Sequence, residues 1–460
     1  MTNVPLLQPR TRREWIQMMA GGMGAIGLNA LLAENASAAP MGHYTGPQLP
    51  VKAKHVIFLF MAGGPSHIDM FDPKPALMKA QGQRPDSVDL RTERQTGGLL
   101  PSNFKFSRHG RNGIELSELL PQLSTVIDDV CVIRSMHTSV PTHTPARSLI
   151  HSGSILANRP TLGAWISYGL GTFNDNLPSF VTLSTGGGDA SLRRSGFLPS
   201  EHQGIGFDNA EIEPEKMIAD LRNKQLDAAA QRRQLDALQV LNGRFGDSFG
   251  PDAFLEGRIK SMEAAYRMQF EALDVFDVRK EPEKIREEYG STQFANGCLL
   301  ARRLVEKGVR YVQVYYPGGQ DWDDHKDIEN KLKARVPNMD QAAAALIRDL
   351  KRRGLLDETL VVWGGEFGRT PVSESGDGRD HNPYGYTMFV AGGGFKGGIA
   401  YGATDEFGFK AVENRVSVHD LHATLLNQMG IDHTRLTYRY AGRDFRLTDV
   451  FGEVVRDILV

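Results

Sequence analysis

Short, continuous apolar runs alternate along the chain with longer segments in which apolar residues return at helical spacing. The apolar runs end beside glycine-rich or polar stretches, which is typical of buried parallel strands that enter site loops. These runs predict six strands, at residues 54–60, 130–133, 180–183, 309–315, 359–363 and 386–391. The helical segments lie between them, at 117–126, 145–151, 161–169, 297–308 and 338–354. This alternation predicts an α/β fold with a mostly parallel central sheet covered by helices on both faces.

One long stretch interrupts the alternation. Residues 211–290 are rich in Gln, Arg, Glu, Ala and Leu at helical spacing, and they contain no run of β-branched residues. We therefore predict a helical insertion over about 211–290 that lies outside the sheet and could cap a site.

The first forty residues differ in composition from the rest of the chain. The adjacent Arg12 and Arg13 precede a weakly apolar run of Gly, Ala, Met and Leu over 18–32, which ends at Ala36-Ser-Ala38. A charged start, a short apolar middle and a small-x-small end are typical of an export signal, and paired arginines mark the twin-arginine (Tat) type. An amphipathic N-terminal helix is the alternative, and the glycine density of the run counts against it.

These features predict a division of the chain and a location for the protein. We expect a Tat export signal over residues 1–39 and a folded domain over 50–460. The protein would then be periplasmic or otherwise exported, with the Tat export machinery as a transient partner. No later segment reaches the roughly 20 apolar residues of a bilayer span, so we predict no membrane span in the mature protein.

Charge and cysteine content narrow the chemistry. Lys and Arg number 53 against 55 Asp and Glu, and this balance gives no indication of nucleic-acid binding. Only two cysteines, Cys131 and Cys298, are present, so neither a disulfide framework nor a cysteine-rich zinc site can form. Any transition metal must therefore be held by His, Asp and Glu.

Carboxylates and imidazoles are concentrated at the ends of three predicted strands. The segments are Asp321-Trp-Asp323-Asp-His325, Glu366-Phe-Gly-Arg369 and Arg379-Asp380-His381-Asn382. Oxygen and nitrogen ligands without thiolate suit Zn, Mn or Fe, with Ca or Mg where carboxylates dominate. For any one residue, a surface charge or a satisfied buried histidine is the ordinary explanation. We expect the ends of the strands at Phe60, Tyr315, Trp363 and Ala391 to open onto one sheet edge, which favours a shared site.

Taken in order, these motifs resemble the alkaline phosphatase superfamily, and most closely its DUF1501 branch, whose members are often labelled sulfatase-like. The remaining motifs that carry the resemblance are Gly63-Gly-Pro-Ser66-His-Ile-Asp69 and Asp420-Leu-His422. The resemblance extends from about Ala53 to the C-terminus, apart from the helical insertion. It implies an alkaline-phosphatase-like α/β fold and hydrolysis of phosphate or sulfate esters with the help of a divalent metal.

The resemblance also implies a metal site. One metal of the superfamily is held by an Asp, a His four residues later and a further His that precedes a strand. Asp321, His325 and His381 match this arrangement, and the shorter Trp-Asp-x-His pattern of DUF1501 makes Asp323 the alternative to Asp321. The implied ion is divalent, either Zn, Mn, Fe or Ca.

A second metal is harder to reconcile with the sequence. The superfamily holds it with an acid at the first strand end and a later Asp-His pair. Here Ala62 occupies the first position, which leaves Asp69 as the nearest substitute, and the later pair is Glu366-Phe367. The carboxylate of Glu366 remains available as a ligand or a base, but the imidazole is missing, so we expect one metal.

The segment His143-Thr-Pro-Ala-Arg147 is similar in spacing to the sulfatase pattern Cys-x-Pro-Ser-Arg. His143 replaces the cysteine that becomes formylglycine, so this chain cannot use formylglycine. Thr142 and Thr144 flank that position as possible hydroxyl nucleophiles, and His143 could form a phosphohistidine or bind the metal. Arg147, at the start of a predicted helix, could hold a phosphate or sulfate oxygen.

Two functions remain open from the sequence. The first is an exported metal-dependent hydrolase whose substrate is a small anionic ester or a sulfated or phosphorylated polysaccharide. The alternative is a catalytically inactive exported protein that binds an anionic polysaccharide or a protein partner on the same fold, because a fold does not fix a function. Metal content separates the two, since an inactive binder has no need of a metal site.

Overall fold

The computed structural model describes residues 46–84, 92, 94–174, 176–218, 227–249, 259, 262–263, 266–267 and 274–460. The predicted export signal at 1–39 and part of the predicted insertion lie outside these residues.

Seventeen β-strands are found among the described residues. In chain order they are β1 His55–Phe60, β2 Phe106–His109, β3 Ile114–Ser117, β4 Val130–His137, β5 Phe180–Ser184, β6 Ile205–Asp208, β7 Tyr311–Tyr315, β8 Thr359–Gly364, β9 Gly368–Glu374, β10 Gly378–Asn382, β11 Tyr386–Ala391, β12 Ile399–Tyr401, β13 Ala403–Thr404, β14 Ala411–Glu413, β15 Val416–Ser417, β16 Tyr438–Tyr440 and β17 Arg443–Phe445. All six predicted strands are present, because continuous apolar runs of this length are stable where both faces of a sheet are covered.

Ten α-helices accompany the strands in the described part of the chain. They are α1 His67–Met70, α2 Pro75–Lys79, α3 His143–Ser152, α4 Leu162–Leu170, α5 Pro214–Met217, α6 Ala228–Phe249, α7 Glu283–Tyr289, α8 Gln293–Glu306, α9 Ile328–Arg352 and α10 Val418–Gln428. Four of the five predicted helices correspond to α3, α4, α8 and α9. The described part of the predicted insertion contains helices and no strand, in agreement with its pattern.

The helix predicted at 117–126 is wrong. Ser117 ends strand β3, and a 3-10 helix begins only at Leu123. Pro121 interrupts the segment and has no backbone N–H. The buried carboxylate of Asp340 accepts the N–H groups of Gln122 and Leu123, each at 2.7 Å, and so stabilises the start of the short 3-10 helix.

The central sheet has nine strands in the order β12-β4-β11-β8-β1-β7-β5-β6, with β15 also paired to β4. Strands β8, β1, β7, β5 and β6 are parallel to one another, so the sheet is mostly parallel, as predicted. All six residues of β1 are buried at its centre. Apolar residues of α8 and α9 pack against the sheet in the same hydrophobic core, which fixes the loops at the strand ends.

Strand β11 runs antiparallel to β8, with Phe389 opposite Trp363 and Ala391 opposite Val361. The expectation that the end at Ala391 shares an edge with the end at Trp363 is therefore wrong. The chain returns from β8 to β11 through the β9–β10 hairpin without a crossover helix, and a parallel neighbour would need such a crossover. The start of β11 consequently lies at the edge where β8 ends, and this places the preceding His381 at that edge.

Candidate metal centre

Three imidazoles converge on one carboxylate at the carboxyl ends of the parallel strands. Oδ1 of Asp323 lies 2.8 Å from Nε2 of His325, 3.1 Å from Nε2 of His381 and 3.2 Å from Nε2 of His143. The Nε2 atoms of His325 and His381 are themselves 3.1 Å apart. We call these four residues the histidine cluster.

The opposite nitrogen of each ring is fixed by an acceptor. Nδ1 of His143 bonds Oε1 of Glu366 at 2.6 Å, and Nδ1 of His381 lies 2.8 Å from the carbonyl oxygen of Pro141. Nδ1 of His325 contacts Oε2 of Glu374. Acceptors at all three Nδ1 atoms favour the tautomer that carries its proton there, so each Nε2 can offer a lone pair to a shared ion.

The charged groups of the histidine cluster shift one another's pKa values. Burial opposes ionisation of Asp323, but the three neighbouring imidazoles, to the extent that they are protonated, and the nearby Arg369 guanidinium hold its pKa well below the usual range. Burial also lowers the pKa of His143, yet the carboxylates of Asp323 and Glu366 outweigh it and raise that pKa above the ordinary value. Asp323 is therefore a permanent anion at neutral pH.

Glycine permits the close packing of the loops that carry these groups. Gly63, with φ near 115°, passes so close to the next loop that a Cβ would stand 2.6 Å from the backbone N of Asp323. Its own N–H donates to Oε1 of Glu366 at 3.0 Å. A Cβ on Gly378 would lie 2.0 Å from the carbonyl carbon of His325, so this glycine gives β10 the same access to the His325 loop.

Local backbone features orient the histidines. Strand β10 pairs with β9 in a hairpin whose register shifts between Arg379 and His381. Such a bulge turns the following side chain away from the regular alternation. His143 is the first residue of α3, so it projects from the end of a helix that is packed against the sheet.

Arg369 lies inside the site and is fully buried. Its guanidinium donates to the carbonyl oxygens of Gly63 and Gly64 and contacts Asp323, so it joins the first strand loop to the cluster. It therefore provides positive charge to Asp323 from the protein itself.

The structure brings together five of the residues predicted from sequence: His143, Asp323, His325, Glu366 and His381. It separates the others. Asp321 is exposed, and it belongs to neither of the two possible metal-binding groups found among the described residues. Asp69 is buried and forms a two-point ion pair with Arg379 at 2.9 and 3.2 Å, while the Ser66 hydroxyl donates to it.

The predicted hydroxyl nucleophiles and the predicted arginine lie beside the cluster. Thr142 precedes α3 and Thr144 lies in its first turn, and both side chains are exposed. Arg147 lies one turn further along α3, where it lines a neighbouring cavity.

Sequence reasoning missed two carboxylates at the site. Glu374 ends β9 and contacts His325, which lies in the loop before α9, and the β9–β10 hairpin, which the sequence did not reveal, brings them together. Asp380 was noted only as part of the segment Arg379-Asp380-His381-Asn382 and not as a ligand, but its carboxylate lies close enough to His325 and His381 to form a second possible metal-binding group. Its Oδ1 is buried without a hydrogen-bond partner.

The residues present fit a divalent ion. The ligands of a tetrahedral zinc site with bonds of about 2.1 Å stand about 3.4 Å apart. The separations of 2.8–3.2 Å between Oδ1 of Asp323 and the three Nε2 atoms approach this value, and the donor atoms form two possible groups of three, His143-Asp323-His381 and His325-Asp380-His381. Nitrogen and oxygen donors of this kind suit Zn, Mn and Fe.

A family model matches residues 53–459, and its description reads "Protein of unknown function (DUF1501)". The chain belongs to the DUF1501 family. No curated protein sequence matches this DUF1501 protein. None of the helices in its described part has the length and apolar character that crossing a membrane requires.

Several solved structures resemble this DUF1501 protein at low sequence identity. The lipoteichoic acid synthase LtaP from Listeria monocytogenes is 12% identical, with 87% of this chain and 78% of that chain covered and a TM-score of 0.37. The PsFucS1 sulfatase from Pseudoalteromonas sp. is 11% identical, with coverages of 83% and 68% and a TM-score of 0.34. The alkaline phosphatase from the Antarctic bacterium TAB5 is 9% identical, with coverages of 75% and 92% and a TM-score of 0.30.

Proposed function

We propose that this DUF1501 protein is an exported hydrolase of phosphate or sulfate esters that depends on one divalent metal. The observation that carries the proposal is the convergence of three Nε2 atoms on Asp323 while acceptors fix each Nδ1. A bound divalent ion supplies Lewis acidity that polarises an ester oxygen.

The residues of the site would bind the ion or orient the side chains that bind it. Asp323, His143, His325 and His381 would hold the ion, and Glu366 and Glu374 would orient two of the rings. Glu366 is almost fully buried, and both of its oxygens lie within 3.2 Å of the Gly63 N–H. We therefore assign Glu366 to the positioning of His143 rather than to proton transfer from water.

One observation favours the alternative, a non-catalytic binding protein. The Arg369 guanidinium already contacts Asp323, so part of the negative charge of the cluster is balanced without an ion. In such a protein the cluster would be a network of hydrogen bonds between Asp323 and protonated imidazoles. The two functions differ in one measurable property, which is the need for metal.

Depletion and re-addition of metal test the proposal. The purified mature protein should hydrolyse at least one member of a panel of phosphate and sulfate mono- and diesters. A chelator should abolish that hydrolysis, and Zn, Mn, Fe or Ca added in turn should restore it and identify the ion. A protein that contains no metal after gentle purification and hydrolyses no ester would support the binding protein instead.

Export is tested separately. Changing Arg12 and Arg13 to Lys should leave the precursor in the cytoplasm, because the Tat receptor reads the arginine pair. Cell fractionation with an antibody to the mature domain measures the distribution. An unchanged periplasmic yield would contradict Tat export.

A further inference from the structure

A mostly apolar pocket with a few polar groups adjoins the histidine cluster at the same ends of the strands. It is a cavity of about 340 Å³ whose walls include Phe60, Ala62, Tyr315 and Arg147. Ala62 directly precedes Gly63, whose N–H binds Glu366, and Arg147 lies one helical turn beyond His143. The cavity is thus next to the proposed reaction site but contains none of the four cluster residues.

The cavity has buried polar groups that no protein atom satisfies. Nε of Arg147 and Oγ of Ser184 are both buried without a hydrogen-bond partner, and both residues line the cavity. A buried polar group without a partner destabilises the folded protein, so such groups are rare unless a water or a ligand meets them. A guanidinium N–H and a hydroxyl in one pocket suit an oxyanion and a polyol.

Shape and charge narrow the ligand class further. A volume near the lower end of the usual range of about 300–1,000 Å³ admits one small molecule of sugar size. Tyr315 and Tyr316 form an aromatic side on which the C–H face of a sugar ring can pack. Arg147 and Asp189 are the charged residues of the cavity lining, and no ion pair joins Asp189 to Arg147 in the described part of the chain, so the guanidinium is left for an anion of the ligand.

We propose that this cavity binds the alcohol half of the ester, and that this half is sugar-sized and carries an oxyanion of its own, which Arg147 binds. The inference rests on the proposed function for the identity of the reacting bond. This role for Arg147 differs from the one expected from the sequence. The guanidinium would bind an anionic substituent on the alcohol half of the ester and not the phosphate or sulfate that reacts. Arg147 is then a specificity-determining residue.

Binding of sugars that cannot be hydrolysed tests the pocket without any reaction. Isothermal titration of the purified mature protein with D-glucuronate and with 6-deoxy-6-sulfo-D-glucose should show binding of at least one, and D-glucose should bind about 10-fold or more weakly. The tighter of the two anions identifies the oxyanion as carboxylate or sulfonate-like.

Two variants locate the binding. Arg147→Gln should weaken binding of the anionic sugar about 10–100-fold, the value expected for a lost hydrogen bond to a charged group. Thr185→Trp, at the exposed rim, should block entry. Arg108→Gln, on the exposed face of the separate β2–β3 hairpin, is the matched control and should bind as the wild type does. Equal affinity for glucose and both anions, or wild-type binding by Arg147→Gln, would overturn the proposal.

A comparison of two esters separates this pocket from the proposed function. With glucuronate 1-phosphate and glucose 1-phosphate, Arg147→Gln should lower the ratio of the two kcat/KM values about 10-fold or more. An equal loss on both esters would place Arg147 at the reacting group and overturn the inference. Binding of the anionic sugar that depends on Arg147, in a protein that hydrolyses no ester, would support the pocket and contradict the proposed hydrolase.

Discussion

Two sets of histidines in this molecule show how neighbouring groups decide what an imidazole does. In the histidine cluster, each ring lies between an acceptor at Nδ1 and Asp323 at Nε2. His151 and His422 lie deeper, where each bonds a backbone carbonyl group and His151 also packs against aromatic rings. His151 bonds the Arg147 carbonyl at 2.7 Å and packs against Phe60, and His422 bonds the Ile150 carbonyl at 2.8 Å.

The difference in neighbours shifts the pKa values of the two sets in opposite directions. Burial lowers the pKa of His151 to about 4 and that of His422 to about 3, so both rings are neutral at physiological pH. His143 has carboxylates at both ring nitrogens, which raise its pKa in spite of burial. The sequence motif Asp420-Leu-His422 therefore contributes a packing residue, and the strand-end carboxylates distinguish a ligand site from a core histidine.

The largest effect should come from removal of the central carboxylate. Asp323→Asn should lower metal affinity and ester hydrolysis by at least about 100-fold, because the loss of an outer partner alone costs about 10–100-fold. Asp321→Asn is the matched control two residues away. Its exposed side chain should leave both quantities within about 2-fold of the wild type. The reverse result, with Asp321 essential and Asp323 dispensable, would contradict the assignment of Asp323 as the metal ligand.

The carboxylates behind the rings should have the next largest effect. Glu366→Gln and Glu374→Gln each remove the charge that orients an imidazole, so each should lower metal affinity or activity about 10–100-fold. The exposed Glu413→Gln variant is the control. Metal titration distinguishes this positioning role from that of a catalytic base, since replacement of a base would lower turnover and leave the metal content unchanged.

The buried His151 and His422 should affect the pH dependence of the free energy of unfolding and should not affect the metal content. Their folded pKa values lie below the ordinary 6.5, so their contribution to stability is present above about pH 6.5 and is lost as the pH falls through the folded values. For His151 the lowering of the pKa from 6.5 to about 4 corresponds to a loss of about 3 kcal/mol between pH 7 and pH 4.

Denaturant titrations between pH 7 and pH 5 measure this effect. The free energy of unfolding should fall with pH, and His422→Gln should make that fall shallower because one titrating ring is gone. His109→Gln, on the β2–β3 hairpin, should keep the wild-type slope. An unchanged slope in His422→Gln would show that this ring does not hold the depressed pKa that its burial indicates.

The sequence predicted the sheet well because its evidence was local. Runs such as Val56-Ile-Phe-Leu-Phe60 are apolar on every residue, and only a strand covered on both faces buries such a run completely. The direction of β11 was not predictable in this way, because direction depends on the path of the chain through the β9–β10 hairpin. The helix predicted at 117–126 failed because Pro121 and the distant Asp340 carboxylate together favour a short 3-10 turn.

The site was predictable only in part for the same reason. Motif resemblance indicated His325, His381 and Glu366, but it left Asp321 and Asp323 as alternatives, since both fit a plausible spacing. The backbone contact between Gly63 and the Trp322–Asp323 peptide separates them, and this contact joins residues about 260 positions apart. No local sequence pattern identified Glu374, because a carboxylate in a strand is usually a surface residue. Its role became evident only from its contact with His325 in the folded chain.

The most direct test of the metal centre is elemental analysis of the wild-type protein and of His381→Ala, both purified without a chelator. We expect about one equivalent of a divalent metal in the wild type, because Asp323 and the imidazoles around it supply the O and N donors that such an ion takes. His381→Ala should contain little metal and hydrolyse no ester while retaining a folded circular dichroism spectrum. A metal-replete His381→Ala protein with wild-type turnover would contradict the assignment of His381 as a ligand, and a metal-free wild-type protein would contradict the metal centre as a whole.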